Sequence, residues 1–245
     1  MKGDYSDKET RVPKGRYTMP VISFASSKGG AGKTTSTIVL GTELAQGASV
    51  VMIDADPAAR LFRWSQIAKL PENIEVIKSD GERAILDEIE NASLRAAFVL
   101  IDLEGSASRL ASFAIGESDL VVIPSGEEQQ DADAAVETIA EVAREGRARR
   151  RKISAVVLFC RTNAAVKSRL EKHIHRQLVA ATTVLKTELH RRTAFSALHN
   201  AGAGLRELDR SEFNGVPKAL ENAQAFTVNV IDILLDELGA DADAA

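Results

Sequence analysis

The feature that most constrains this chain is a glycine-rich turn between an apolar strand and a helix. The turn reads SSKGGAGKTT over residues 26–35, follows the strand-like segment 21–25 and opens a helical pattern over 34–46. Glycines let successive backbone N–H groups turn inward around an anion, and a helix N-terminus adds unpaired donors. The pattern predicts a phosphate-binding loop that holds a nucleoside triphosphate. A flexible glycine-rich linker would need neither the strand nor the Lys-Thr pair.

The residue types of the loop suggest which groups bind the phosphates and which binds the metal ion. Backbone amides cradle the phosphates, Lys33 reaches the outer phosphates, and the Thr34 hydroxyl is suited to hold Mg²⁺. We expect ATP and Mg²⁺ as the cofactors. The predicted nucleotide-binding residues are Lys28, Gly29, Gly30, Ala31, Gly32, Lys33, Thr34, Thr35 and Asn163.

One departure from the general loop pattern narrows the prediction. The usual loop has glycine where this chain has Ser27, and this chain places an extra lysine, Lys28, beside the glycine pair. The resulting run, KGGAGKTT, resembles the deviant Walker loop of the ParA/MinD family of ATPases. The resemblance implies that Lys28 crosses a homodimer interface to touch the nucleotide of the other subunit. An ordinary solvated loop lysine is the alternative.

Two later strands end in acids. The predicted strand 49–54 ends in Asp54 and is followed by Asp56 in a D-x-D-P motif, and the strand 98–102 ends in Asp102, which resembles a Walker B acid. Ligands of open parallel sheets bind beyond the carboxyl ends of the strands, so we expect these acids to meet the loop. The resemblance implies that Thr34 binds Mg²⁺ directly and Asp54 and Asp102 through water. It also implies that Asp56 orients the attacking water.

The implied reaction is slow, Mg²⁺-dependent hydrolysis of ATP to ADP and phosphate, with Lys28, Lys33 and Asp56 as the catalytic residues. After Asp102 the family commonly has a small residue and prolines, whereas this chain reads Leu103-Glu104-Gly105-Ser106. This difference keeps open an ATP-binding recruitment module that hydrolyses little ATP.

Apolar strands alternate with helical patterns along the chain, which predicts a single, doubly wound, mostly parallel α/β sheet of the P-loop NTPase class. We expect a disordered tail over 1–18, the ATPase domain over 19–238 and an acidic tail over 239–245. The predicted strands are 21–25, 49–54, 73–78, 98–102, 119–124, 153–159 and 183–186, and the predicted helices are 34–46, 59–69, 81–91, 106–116, 129–148, 166–180 and 217–238.

Composition excludes several classes of protein. The lone Cys160 excludes intrachain disulfides and cysteine-rich metal sites, and the 4% aromatic content argues against base-stacking platforms. No run approaches the roughly 18 apolar residues of a membrane span, and residues 1–18 lack the apolar stretch of a signal peptide. We expect a bacterial cytoplasmic protein without a membrane partner, with nucleoid association if it binds DNA.

The charge is unevenly distributed. Residues 141–200 hold 14 Lys and Arg against 4 Asp and Glu, although the whole chain has a net charge of −4. Such a block favours a polyanion as partner, with salt-sensitive, sequence-independent contacts to phosphates. The predicted DNA-binding residues are Arg191, Arg192, Lys167 and Arg169. The cluster 147–152 lies at a predicted helix C-terminus, where cations are also favourable for structural reasons.

Within the family, the Arg63-Trp64 pair and the segment HRRTAF at 190–195 are most similar to the agrobacterial-type ATPase that assists conjugative DNA transfer, followed by plasmid-partition ATPases. The implied function is an ATP-dependent dimer that positions DNA with an adaptor or centromere-binding protein. A MinD-like membrane ATPase is the less favoured alternative, because the helical pattern 226–238 carries acids and no Lys or Arg. A metabolic ligase of the same fold would need a substrate pocket that the sequence does not reveal.

Overall fold

The computed structural model describes residues 19–105, 108–163 and 167–243, with side chains described as far as residue 237. The predicted tail 1–18 lies outside the described residues. The strands are β1 Val21–Phe24, β2 Val50–Ala55, β3 Ile74–Lys78, β4 Phe98–Leu103, β5 Leu120–Ser125, β6 Ser154–Thr162, β7 Thr183–Val184 and β8 Leu189–His190. The helices are α1 Lys33–Leu44, α2 Arg60–Ile67, α3 Ile85–Ser93, α4 Arg109–Glu117, α5 Gln129–Arg149, α6 Arg169–Ala181, α7 Thr193–Ala201 and α8 Val216–Asp243.

The strands form one parallel sheet, as the alternation of strand and helix patterns predicts. The strand order is β3-β2-β4-β1-β5-β6-β7, and β8 pairs with β6 off this path. In the register of the sheet, Asp54 on β2 lies opposite Asp102 on β4, and Asp102 lies opposite Phe24 at the end of β1. The phosphate-binding loop and the two acids therefore meet at the carboxyl edge of three neighbouring strands. This is where a doubly wound sheet places its ligand.

Alternation along each strand divides the core into two layers. Even-numbered residues such as Ile22, Met52 and Leu100 pack under α1, α2, α7 and α8. Odd-numbered residues such as Val51 and Val99 pack under α3, α4, α5 and α6. Because both faces of the central strands are covered, these strands read as continuous apolar runs. The prediction of helices on both faces is confirmed.

Three elements differ from the sequence pattern. Strand β8 and helix α7 are not among the predicted ranges. Strand β8 has two residues, which is too short to show an alternating pattern. Helix α8 continues to Asp243, past the predicted end at 238. Gly239 weakens the helix without ending it, since no proline follows to break the backbone hydrogen bonds. Within the described ranges, no helix combines the length and apolarity needed to cross a membrane.

One ion pair ties α1 to the segment between α7 and α8. Glu43 on α1 is buried, with 4% of its side chain exposed, and it accepts two hydrogen bonds from the Arg206 guanidinium at 3.1 and 2.7 Å. Because α1 starts at the phosphate-binding loop, this bidentate pair also fixes the far end of the helix that carries Lys33 and Thr34.

We expect Arg206→Ala to lower the free energy of unfolding by about 1–3 kcal/mol, because it leaves the Glu43 carboxylate buried without its partner. The lower part of the range applies if water reaches the carboxylate, since Arg206 itself is about one third exposed. Urea unfolding followed by circular dichroism measures the change. Arg210→Ala, at an exposed position four residues later, is the matched control. Equal effects of the two variants would contradict the assigned role.

Candidate nucleotide-binding site

The loop between β1 and α1 depends on two glycines in the left-handed region. Gly30 has φ of 73° and Gly32 has φ of 114°. A Cβ at Gly32 would also lie 3.3 Å from the Cys160 side chain on β6, so this position is restricted by both backbone and space. Helix α1 starts directly afterwards, with Ser36 N donating to Gly32 O at 2.9 Å. The first amides of α1 are thus left to bind an anion at the loop.

Thr34 and Asp102, both predicted to hold the metal, are in direct contact. The Thr34 Oγ1 donates to Asp102 Oδ2 at 2.6 Å, and Asp102 is fully buried at the end of β4. Burial raises the pKa of Asp102 to about 7, and the hydrogen bond from Thr34 opposes this shift while the Asp54 charge adds to it. The other oxygen, Oδ1, is buried and has no hydrogen-bond partner among the described residues.

This donor set fits Mg²⁺, which prefers hard oxygen ligands and keeps several of its waters. Asp102 Oδ1 offers an acceptor for a metal-bound water, and Thr34 offers a hydroxyl oxygen. No group of three or more His, Cys, Asp or Glu side chains suited to a metal occurs in the described part of the chain. The remaining ligands of a bound ion would therefore be phosphate oxygens and water.

The two acids at the end of β2, Asp54 in the strand and Asp56 just after it, are held differently. Asp54 accepts the backbone N–H of Asp56 at 3.1 Å and of Phe62 at 2.7 Å, so it orders the turn into α2. Burial raises the pKa of Asp54, and these backbone bonds lower it in part. Asp56 accepts from Ala58 N at 2.8 Å and from Arg60 Nη1 at 3.1 Å. Asp54 therefore stabilises the turn into α2, in addition to its predicted role in binding Mg²⁺.

Lys33 is buried where the loop meets the acids. Burial lowers the pKa of Lys33, opposed by Asp102, Asp56 and Glu104 and assisted by Arg60. A Cβ at Gly105 would lie 3.4 Å from Gly29 N and 3.5 Å from Lys33 Nζ, so the residue after Glu104 runs directly against the loop. The segment after Asp102 thus borders the place where the outer phosphates would lie.

Lys28 is bound to another element. Its Nζ lies 2.6 Å from Asp131 Oδ1 in the first turn of α5, and only 4% of the Asp131 side chain is exposed. Asp131 Oδ2 also accepts the backbone N–H of Glu128 at 3.4 Å as part of the capping box of α5. In this conformation, the ammonium group of Lys28 is paired with a carboxylate of its own chain.

A cavity of about 330 Å³ adjoins the loop on the side of β6 and α7. Thr35 Oγ1 contacts His199 Nε2 at 2.9 Å in its wall, and burial, together with the Arg60 charge, lowers the pKa of His199. The cavity is large enough for the base and ribose of a nucleotide. Its other lining residues include Gly30, Gly32, Cys160, Arg161, Arg191, Arg192 and Phe195.

The comparisons with known proteins agree with this geometry. A family model described as VirC1 protein matches residues 19–229. The chain belongs to the VirC1 family. The protein ParA of Rhizobium radiobacter is 38% identical over 222 residues, covering 90% of this chain and 100% of that protein. The protein virC1 of Rhizobium radiobacter is 30% identical over 190 residues, covering 75% of this chain and 82% of that protein.

The fold of this VirC1-family chain also matches solved structures. A Cyanothece McdA complex with ATP has a TM-score of 0.70 and 18% identity, and the match covers 87% of this chain and 96% of that chain. At this identity the likeness concerns the fold alone. The resemblance inferred from the loop and the acidic motifs is confirmed by the family match.

The structure places the predicted DNA-binding residues of this VirC1-family chain in different surroundings. Arg191 is exposed and Arg192 half-buried, and both border the cavity beside the loop. The Lys167 ammonium lies 3.2 Å from Glu127 Oε1 and also contacts Glu188, so two carboxylates compensate its charge. Arg169 is exposed at the start of α6, and Asn163 lies just after β6. Contact of these residues with DNA or nucleotide stays a prediction.

Three contacts at the site lie beyond the motifs. Asp131, Arg60 and His199 touch Lys28, Asp56 and Thr35 respectively. Arg60 is the first residue of α2 and follows Asp56 by four residues, so this contact is local in sequence. Asp131 and His199 come from elements 103 and 164 residues away, so no local pattern reveals them.

We expect Asp102→Asn to stabilise the protein without ligand and to abolish stabilisation by Mg²⁺ with nucleotide. The pKa of Asp102 is raised, so the parent loses stability as pH rises from about 4 to about 7 and then levels off. The Asn variant does not lose this stability. Above pH 7 its free energy of unfolding should therefore exceed that of the parent by about 1–3 kcal/mol, which corresponds to roughly 3–10 °C in Tm. Scanning calorimetry from pH 5 to 8 measures it.

Asp80→Asn, at an exposed position, is the control. The difference in Tm between this variant and the parent should not grow from pH 5 to 7. A difference between parent and Asp102→Asn that does not grow from pH 5 to 7 would contradict the assigned burial of an ionisable carboxyl.

Proposed function

We propose that the chain is an ATP-switched positioning ATPase. ATP with Mg²⁺ closes a homodimer that binds DNA without sequence preference, and slow hydrolysis to ADP and phosphate resets it. The 38% identity to a ParA protein over the whole of that protein supports this class, as does the family match. The relatives named ParA and virC1 leave plasmid partition and conjugative DNA transfer as the two settings, both within a bacterial cytoplasm and near the nucleoid.

The observation that carries the proposal is the position of Lys28. Lys33 already serves as the buried lysine of the phosphate-binding loop, whereas Lys28 is paired with Asp131 on α5 at 2.6 Å. About one third of the Lys28 side chain is exposed, so its ammonium group can exchange Asp131 for another anion. A phosphate held by a second copy of the chain is the partner that the family resemblance implies. Lys28 would then stabilise the dimer only when the second subunit holds ATP.

The remaining residues have roles that follow from their contacts. Thr34, Asp102 and Asp54 would hold Mg²⁺, which neutralises phosphate charge when bound. Lys33 stabilises charge on the outer phosphates, and the low-dielectric surroundings strengthen this interaction. Asp56 accepts from Ala58 N and Arg60, which orients its carboxylate for a water molecule. Phosphoryl transfer depends mostly on positioning and charge stabilisation, so these contacts suffice for slow hydrolysis.

A recruitment module that binds ATP and hydrolyses little is the second candidate. The observation in its favour is Glu104, whose charge acts on Lys33 and which precedes the close approach of Gly105 to the loop. A carboxylate at this place would repel the developing charge on the phosphates. Both candidates share ATP-dependent dimerisation and a partner such as an adaptor or centromere-binding protein, and they differ in the rate of phosphate release.

Dimerisation tests the role of Lys28. We expect Lys28→Gln to retain ATP binding, to remain monomeric with ATP and Mg²⁺ in light scattering, and to lose about tenfold or more of phosphate release, because a charge at the phosphates is removed. Asp131→Asn should lower the ATP concentration needed for dimerisation, because Lys28 loses its competing partner. Glu128→Gln weakens the same capping box without touching Lys28 and serves as the control. A dimer of normal stability in Lys28→Gln contradicts the proposal.

DNA binding tests the outcome of the switch. With ATP and Mg²⁺ we expect the parent to bind duplex DNA more tightly than with ADP, and more weakly as salt rises. Arg191→Gln should reduce the slope of log K against log salt by roughly 0.9, the value for one phosphate contact. Fluorescence anisotropy measures binding, and a parallel nucleotide titration shows whether the change disturbs the adjoining cavity. ATP binding without any DNA affinity would refute the positioning function and favour recruitment.

A further inference from the structure

Helix α6 carries a face of basic side chains. Arg169, Lys172, His173 and Arg176 follow the helical spacing i, i+3, i+4, i+7, and all four are exposed. At a rise of 1.5 Å per residue, this set spans about 10 Å along one side of the helix. We call these four residues the α6 stripe.

The orientation of the stripe is fixed by the other side of the helix. Ile174 and Leu178 are fully buried in the layer beneath α3–α6. Their positions are about 140° to 180° around the helix from Arg169 at 100° per residue, so the stripe points away from the core. A capping box between Ser168 and Glu171 fixes the first turn. Glu171 lies outside the stripe, and none of the four stripe residues is acidic.

The charges of the stripe are not compensated within the described structure. Arg169, Lys172 and Arg176 form no ion pair there, and Arg176 Nε donates to Lys172 O of the same helix. Lys167, just before the helix, is the contrast, because Glu127 and Glu188 pair with it. Lys172 and Arg176 also line an open groove of about 570 Å³ beside the Lys167–Glu188 pair. A solvated face usually mixes both signs, so a single sign on a chain of net charge −4 calls for a partner.

We propose that the α6 stripe is a second surface that contacts the phosphate backbone of double-stranded DNA. The proposal rests on the DNA-binding function proposed above and adds to the Arg191–Arg192 turn a separate face that makes several phosphate contacts. Double-stranded DNA carries one negative charge per about 1.7 Å of its axis. A narrow row of cations fits such a dense line of phosphates better than it fits the scattered carboxylates of an acidic protein. Of the exposed apolar residues of α6, Leu170 lies about 60° around the helix from the nearest stripe residue, and Val179 lies on the same face about one turn beyond Arg176. No apolar side chain therefore stands at the centre of the stripe, where a protein interface usually has one.

The test compares two double variants of the full chain. Lys172→Gln/Arg176→Gln removes two charges from the stripe, and Lys69→Gln/Arg83→Gln removes two exposed charges near β3, at the opposite edge of the sheet. Affinity for a 30-base-pair duplex is measured by anisotropy with ATP and Mg²⁺ over a range of KCl concentrations. The stripe variant should lose about tenfold in affinity at low salt and roughly 2 in the salt slope, whereas the control variant should match the parent.

Each other outcome overturns the assignment. If the parent binds DNA and both variants bind like the parent, the stripe is wrong and the positioning function stands. If both variants lose affinity equally, only the overall charge matters and the stripe is wrong. If the parent does not bind DNA, the stripe and the DNA-binding function both fail. If poly-glutamate of equal charge displaces the duplex from the parent as well as unlabelled duplex does, the surface recognises an acidic polypeptide. Melting temperature and nucleotide affinity, unchanged in both variants, show that the fold is intact.

Discussion

The hydrogen bond from Thr34 to Asp102 is the contact on which the site depends. Asp102 is fully buried at the end of β4, where a carboxylate is costly unless a cation or donors compensate it. One oxygen is held by Thr34 and the other has no partner among the described residues. The buried carboxylate therefore lowers the stability of the fold without ligand, at the point where three strands converge. A metal ion with its waters, as proposed for this site, would offset that loss and so bind with a gain in free energy.

The same principle explains why the other charged groups of the site are paired. Asp54 binds two backbone amides, Asp56 binds Arg60, and Lys28 binds Asp131. Each pairing keeps a charged side chain ordered in the absence of phosphate, and the pairs with Lys28 and Arg60 are partly exposed and can exchange. The loop is thus preorganised for anions by its glycines and by α1. Its outer charges are held by partners that a phosphate can replace.

Sequence patterns predicted the sheet, the two-sided helix cover and the loop with its acids because these depend on local periodicity and on the edge where parallel strands end. The patterns could not predict Asp131 or His199, whose contacts with the loop join residues more than 100 positions apart. They also placed Lys167 with the DNA-binding candidates, and its surroundings between Glu127 and Glu188 become visible only once β5, β6 and β8 are assembled. The start of α6 at Arg169 similarly decides which cations share a face.

Burial and exposure of charge separate the two proposed binding functions of this acidic chain. At the carboxyl edge of the sheet, charges are buried, paired and few, and their pKa values move because water is excluded. On α6, charges of one sign stand in water, where salt screens them within about 8–10 Å. A nucleotide is therefore held by geometry and desolvation, whereas a polyanion on α6 would be held by many weak, screened contacts. Since Lys28 of the loop binds Asp131 at the start of α5, and α5 packs on α6, a chain of direct contacts joins the loop to the basic face.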